Sequence, residues 1–401
     1  MPNLNETVSA DRVHIGFFGR RNVGKSSLVN AVTGQNLAVV SDVRGTTTDP
    51  VKKAMELLPI GPVLIIDTPG FDDEGTLGEM RVQKTREILA KTDIAVLVTE
   101  AGVPLYPDEK EFLAMLGAHK TPYLHVYNKS DARQMLPAAN DGELYVSAQT
   151  GDGITALKEK LGALAKTKQN DRVIVSDLLT PGDTVILVTP IDAAAPKGRI
   201  ILPQQQTLRD ILDAHCRAFV CQDTELAGTI AALKDPPRMV ITDSQAFGRV
   251  AKDVPPEVSL TSFSILFARY KGDLLTQVQG AAALANVRAG DKVLISEGCT
   301  HHRQCGDIGT VKLPALIKKF TGITPDFTFT SGGEFPADVS EYKLVIHCGA
   351  CMLGETEMAH RLSIARECGT PVVNYGVAIA HMNGILRRSL ALFPDAAAVL
   401  D

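Results

Sequence analysis

Three cysteines and two histidines near the far end of this 401-residue chain are spaced for soft-metal chemistry. Cys299 and His301 stand together in Cys-Thr-His, while His347, Cys348 and Cys351 form His-Cys-Gly-Ala-Cys. Thiolates suit zinc and iron–sulfur clusters. A Cys-x-x-Cys turn supplies two of them, and a distant loop supplies the third. Three thiolates leave one iron of a cubane 4Fe–4S cluster able to take another ligand. His301, His347, a carboxylate (Glu297, Asp307 or Glu355) or water stand for that position; the two histidines serve either as exchangeable ligands or as partners behind the ligands. Three thiolates and one imidazole also describe a closed structural zinc site. A redox dithiol at Cys348 and Cys351 would leave Cys299 and both histidines unexplained. Cys216, Cys221 and Cys368 lack metal-type spacing and read as small buried residues. His302 reads as an exposed loop residue, and His381 either packs or approaches the same crevice.

The front of the chain carries a second chemistry. Gly19-Arg-Arg-Asn-Val-Gly24-Lys25-Ser26 fits the phosphate-binding loop G-x-x-x-x-G-K-S/T, after an apolar run and before a helical one. Its backbone amides, through Val23, Gly24 and Ser27, would cradle phosphates. Lys25 reaches the β and γ oxygens, and Ser26 gives a hydroxyl to Mg²⁺. Asp67-Thr-Pro-Gly70 supplies the Mg²⁺-side carboxylate and a glycine that senses the γ-phosphate. Asn128-Lys129-Ser-Asp131 offers a carboxylate that accepts from the N1 and amino edge of guanine; adenine presents the wrong pattern. Ser147-Ala148-Gln-Thr150 fits the remaining base-side loop.

These motifs need strands whose ends face one way. Apolar runs at 13–18, 63–66, 94–98, 124–127 and 144–146 alternate with helical stretches, predicting a mostly parallel sheet covered by helices. A polar run at 165–172 reads as a linker. Beyond it, strands are expected at 184–188, 199–202, 219–221, 239–242 and 259–264, with a helix over 207–215. Short strands such as 184–188 would leave an edge for a second copy to cover. Further strands are expected at 292–296, 326–330, 343–346 and 371–374. Both cysteine arms follow such strands, so they should meet in one crevice. Cys348 and Cys351 are read as the start of a helix through 355–368, whose dipole would favour thiolates. The fold class is α/β: a P-loop GTPase domain (1–168), then two smaller α/β domains with mostly parallel sheets, the middle one with that pairing edge (172–264) and the last with the cysteine arms (265–401).

Composition fits that plan. Apolar residues make up 45% and charged residues 22%, and a net charge of −5 argues against a broad nucleic-acid surface. No run reaches a membrane span, and the first residues lack a secretory signal. Seven unevenly spread cysteines are not a disulfide framework, so a reducing cytoplasm is the expected setting.

The nucleotide motifs resemble the potassium-activated GTPases of the TrmE–Era–EngA group. Gly45-Thr-Thr-Thr-Asp49 is similar to their switch I, with Thr48 in place of the usual arginine; Thr47 is the expected Mg²⁺ ligand and Thr46 its rival. Phe71 stands where Ras-like enzymes carry a water-orienting glutamine. The resemblance implies that Asn22 helps to bind K⁺, which supplies charge in place of an arginine finger; otherwise Asn22 stabilises the loop. The whole chain resembles the HydF family of FeFe-hydrogenase maturation GTPases. It does so through the C-x-H…H-C-x-x-C signature and Thr189-Pro-Ile-Asp-Ala-Ala-Ala-Pro-Lys-Gly198. That resemblance implies that 172–264 is a dimerisation domain, making a homodimer, and that 265–401 holds a 4Fe–4S cluster on Cys299, Cys348 and Cys351. It also implies a scaffold or carrier that takes a di-iron precursor to apo FeFe-hydrogenase and works with radical-SAM maturation enzymes. The alternative is a regulatory GTPase with a structural zinc or redox-sensing cluster domain.

Overall fold

The computed structural model describes residues 11–34, 51–70, 84–168, 172–191, 200–298 and 307–400. They form two compact units, 1–170 and 171–401. In the first, β1 (Val13–Phe18), β2 (Val51–Leu57), β3 (Gly61–Asp67), β4 (Ile94–Glu100), β5 (Tyr123–Asn128) and β6 (Glu143–Tyr145) make a sheet ordered β2-β3-β1-β4-β5-β6. Only the β2–β3 pair is antiparallel. Alternation along the strands feeds two cores. Ile15, Phe17, Ile65, Val96 and Val98 pack on the face covered by helices Lys25–Thr33 and Ile154–Lys168. Phe18, Leu64, Ile66 and Leu97 pack on the other with Phe112 and Leu116 of helix Pro107–His119. The polar run expected as a linker is partly helical, since helix Ile154–Lys168 continues into it.

The second unit holds two all-parallel sheets. One comprises β7 (Thr184–Val188), β8 (Arg217–Cys221), β9 (Met239–Thr242) and β10 (Ser259–Ser262), ordered β10-β9-β7-β8. The other comprises β11 (Lys292–Glu297), β12 (Asp326–Ser331), β13 (Leu344–His347) and β14 (Val372–Asn374), ordered β12-β11-β13-β14. The α/β class with mostly parallel sheets therefore holds throughout.

Three local expectations change. Residues 200–201 are not a strand: helix Leu202–Asp213 begins there, with Pro203 in its first turn and the Gln204 carboxamide accepting from Ile201 N at 3.1 Å. Proline suits a helix start because the N–H it lacks would have no helical partner. The strand read through 264 stops at Ser262, whose hydroxyl accepts from Ile265 N at 3.2 Å and caps helix Phe263–Lys271. The boundary expected between 264 and 265 thus falls inside a helix. Finally, β7 is not an edge: it pairs with β8 and β9. The outer strands are β10 and β8, and on β8 Phe219 and Val220 are 43% and 48% exposed.

The two sheets share one core. Ile186, Val188, Val240 and Leu260 of the first pack in the same cluster as Val293, Ile295, Leu344 and Ile346 of the second. Helix Leu274–Ala283 lies so close to β14 that a Cβ on Gly280 would sit 1.9 Å from the Val372 carbonyl oxygen. Backbone cannot yield as a flexible side chain does. Gly280→Ala should therefore cost about 1–3 kcal/mol. Because the core is common, amide exchange should accelerate in β9 as well as in β13. Loosening confined to β13 would show that the sheets unfold separately.

Candidate functional site

The phosphate-binding loop joins β1 to helix Lys25–Thr33. Gly24 has φ 89°, and a Cβ there would stand 2.3 Å from Asn128 Nδ2. Glycine is required on both counts. Asn22 is exposed with φ 59°, a left-handed position that asparagine tolerates. Lys25 is buried, and its ammonium donates to the carbonyls of Gly19 at 2.9 Å and Arg20 at 2.7 Å, across the mouth of the loop. Val23 is buried, and Ser26 and Ser27 lie in the first helical turn, half-buried.

Ser26 Oγ donates to Asp67 Oδ2 at 2.6 Å, at the end of β3. Asp67 is 3% exposed, and its other oxygen, Oδ1, has no hydrogen-bond partner among the described residues. Burial pushes this carboxyl above its ordinary range, opposed by the Ser26 hydrogen bond and the Lys25 charge. A hydroxyl beside a buried carboxylate oxygen that lacks a donor fits a hard divalent cation. Gly70 follows, half-buried. Thr46, Thr47 and Phe71 lie outside the described residues.

Asn128 ties the loops together. Its Nδ2 donates to Val23 O at 2.9 Å, and its Oδ1 accepts from Ala148 N at 3.1 Å. Lys129, at φ 61°, donates to Glu100 Oε2 at 2.8 Å, and Asp131 lies exposed in the turn that follows. Ser147 is buried, and its hydroxyl accepts from Thr150 N at 3.0 Å. Phosphate-side and base-side residues of the motif are thus brought to one end of the sheet. Asn128→Ala leaves the Val23 carbonyl and the Ala148 amide without this partner. Its expected cost is about 1–3 kcal/mol in urea unfolding of the full chain, together with weaker GTP binding by calorimetry. Unchanged values would show that the bridge is dispensable.

At the other chemistry, β11 and β13 run side by side with Ser296 opposite His347. Cys348 N donates to Ser296 O at 2.9 Å, and Gly298 N returns to Cys348 Sγ at 3.0 Å. Ala350 N also points at that sulfur, at 3.4 Å. Amides aimed at a sulfur favour its thiolate, which is what a metal or cluster needs. Gly298 directly precedes Cys299, so the two arms begin within hydrogen-bonding distance of each other. Cys299 and His301 themselves lie outside the described residues, and no group of three metal-type side chains assembles among those described. Cys351 is half-buried in the same loop. The helix does not begin at the cysteines: Ala350 takes φ 54°, Gly354 is the cap, and the helix runs Glu355–Glu367. Loop amides, rather than a helix dipole, therefore face the sulfur.

His347 is buried, with both ring nitrogens engaged. Arg361 Nη1 lies 3.0 Å from Nε2, and Cys348 O lies 2.9 Å from Nδ1. A guanidinium only donates, so Nε2 accepts and Nδ1–H donates to the carbonyl. Burial first, then the Arg361 charge, pushes the imidazole pKa down to about 3, against the Cys348 hydrogen bond. Arg361 also donates to Gly332 O at 2.6 Å and Glu357 Oε1 at 2.7 Å, and stacks over Phe335. Sequence reasoning missed this residue, because a Glu and an Arg four apart on a helix carry no signal that sets them apart from an ordinary surface pair. It also missed Tyr375, whose hydroxyl donates to Glu297 Oε1 at 3.2 Å. Tyr375 opens the helix on which His381 lies; His381 packs on Phe320. No helix among the described residues is long and apolar enough to cross a membrane.

Residues 174–272 match the hydrogen maturase F dimerization domain, 275–392 the hydrogen maturase F tetramerization domain, and 14–129 a 50S ribosome-binding GTPase domain. The tRNA modification GTPase MnmE of Bordetella petrii is 34% identical over 154 residues, covering 38% of this chain and 34% of its own. GTPase Era of Carboxydothermus hydrogenoformans is 34% identical over 157 residues, covering 36% of this chain and 52% of its own. The chain spans about a third to a half of the length of the MnmE relatives it matches. A solved structure of Aquifex aeolicus Era covers 60% of this chain and 99% of its own, at 16% identity and a TM-score of 0.33. With a P-loop GTPase domain in front and both hydrogen maturase F domains behind it, the chain belongs to the hydrogen maturase F family.

Proposed function

We propose that this protein hydrolyses GTP with Mg²⁺ and K⁺ and uses it in FeFe-hydrogenase maturation. Its rear unit holds a 4Fe–4S cluster on Cys299, Cys348 and Cys351 and carries a di-iron precursor to the apo-hydrogenase. The observation that carries the cluster reading is the Gly298 amide on the Cys348 sulfur, which starts the Cys299 arm beside the Cys-x-x-Cys loop. When bound, the cluster supplies an iron open to an incoming ligand. Cys348 and Cys351 would hold it from one loop and Cys299 from the other, while His347 orients Cys348 through its carbonyl. Each cysteine changed to alanine should abolish the EPR signal of the anaerobically reconstituted, reduced protein. A colourless, EPR-silent wild type containing zinc would overturn this reading.

For the nucleotide, Asp131 selects guanine, Lys25 holds the phosphates, and Ser26 with Asp67 holds Mg²⁺; Thr47, or Thr46, completes the metal's ligands, and Asn22 serves K⁺. Turnover should be selective for GTP over ATP, lost in Lys25→Ala or Ser26→Ala, and faster in K⁺ than in Na⁺. Equal rates in the two salts would remove the cation role while leaving hydrolysis intact.

The protein pairs as a homodimer through β8, whose outer edge and exposed Phe219 and Val220 suit a second strand. Val220→Glu should shift light scattering toward smaller species. An unchanged mass would move the interface elsewhere.

A further inference from the structure

Helix Phe263–Lys271 ends on a lysine that the GTP and thiolate chemistry does not use. Lys271 is 5% exposed. Its ammonium donates to Leu353 O at 3.0 Å, Ala350 O at 3.4 Å and Cys351 O at 3.5 Å. Three carbonyls on either side of, and at, the second cysteine of Cys-x-x-Cys therefore face one cation. An ammonium has three donors to give. Drawing the loop's oxygens to one side helps to hold the left-handed turn at Ala350, whose own amide points the opposite way, to Cys348 Sγ. The lysine comes from the segment of the dimerization match, and the loop from the segment of the tetramerization match.

We propose that Lys271 is a positioning residue of the cluster site, which sorts the carbonyls of the cysteine loop away from the thiolates and places a buried positive charge behind the anionic cluster. The charge half rests on the cluster reading given above; the positioning half does not need it. Reduction adds negative charge to a cluster, and a nearby cation in a poorly solvated site stabilises that form. A residue that merely closed the fold would not move the potential.

The test uses the full chain as K271Q and K271R. In the reconstituted protein, EPR-monitored redox titration should show the K271Q cluster about tenfold harder to reduce, a shift of about 59 mV to lower potential. K271R keeps the charge but, with a planar fork, not the three-carbonyl geometry; its potential should stay near wild type. In metal-free protein, the amides of Ala350–Leu353 should exchange at least tenfold faster in both variants than in wild type. Unchanged potential and unchanged exchange in K271Q overturn the proposal. If K271Q does not fold, K271R decides: faster exchange at an unaltered potential supports it, and exchange at the wild-type rate overturns it. Should the wild type take up zinc and no cluster, the cluster reading and the charge half fall together. Exchange in the metal-free variants then still decides the positioning half.

Discussion

The sulfur of Cys348 is the point at which the two arms of the rear unit meet, and parallel pairing of β11 with β13 puts it there. Side chains alternate along a strand, so a slip of one residue would exchange the faces of His347 and Cys348. The register with Ser296 opposite His347 prevents that, and it is held from both sides by β12 and β14. Only with this register can Cys348 N reach Ser296 O, and Gly298 N turn back onto the sulfur. The amides of Gly298 and Ala350 that point at this sulfur are therefore placed by strand pairing and by the loop that follows it.

Behind the sulfur, burial decides the chemistry of His347. An imidazolium there would be a desolvated cation next to the Arg361 guanidinium, and the ring is neutral instead. Once neutral, it has one donor and one acceptor, and the protein uses both. Iron could bind Nε2 only after Arg361 gave up that contact, or Nδ1 only after the Cys348 carbonyl lost its donor. Arg361 is itself kept from being a lone buried charge by Glu357, the Gly332 carbonyl and the Phe335 ring. This network favours His347 as a partner behind the ligand over His347 as a ligand.

Much of this was legible in the sequence, for local reasons. A phosphate-binding loop and a Cys-x-x-Cys turn are contiguous, and the buried parallel strands are short apolar runs. What was lost depends on neighbours distant in the chain. β2, rich in lysine and mostly exposed, pairs on the edge of the first sheet and did not read as a strand. Residues 184–188 carried no sign that partners would flank them on both sides. Arg361 and Lys271 were not singled out, because nothing in their own helices reveals that the opposite wall holds carbonyls and an imidazole. Asp67 and Ser26 were identified by motif, but the unpartnered oxygen that argues for a cation emerges only from packing.

The segments matched as separate domains in the rear unit are not physically separate. Burial of one aliphatic side chain contributes roughly 1.5–3 kcal/mol. Ile186, Val240, Val293 and Ile346 are all fully buried in the common core, so exposing even one of them by parting the sheets would remove a sizeable part of the roughly 5–15 kcal/mol by which a domain is stable. Cutting at 264 would also sever helix Phe263–Lys271, and with it the cation on the cysteine loop. The sheet that carries the β8 edge and the sheet that carries Cys348 and Cys351 therefore stand or fall together. A truncation lacking 172–264 would confound loss of an interface with loss of the core, whereas a single charge on β8 alters the edge and leaves that core in place.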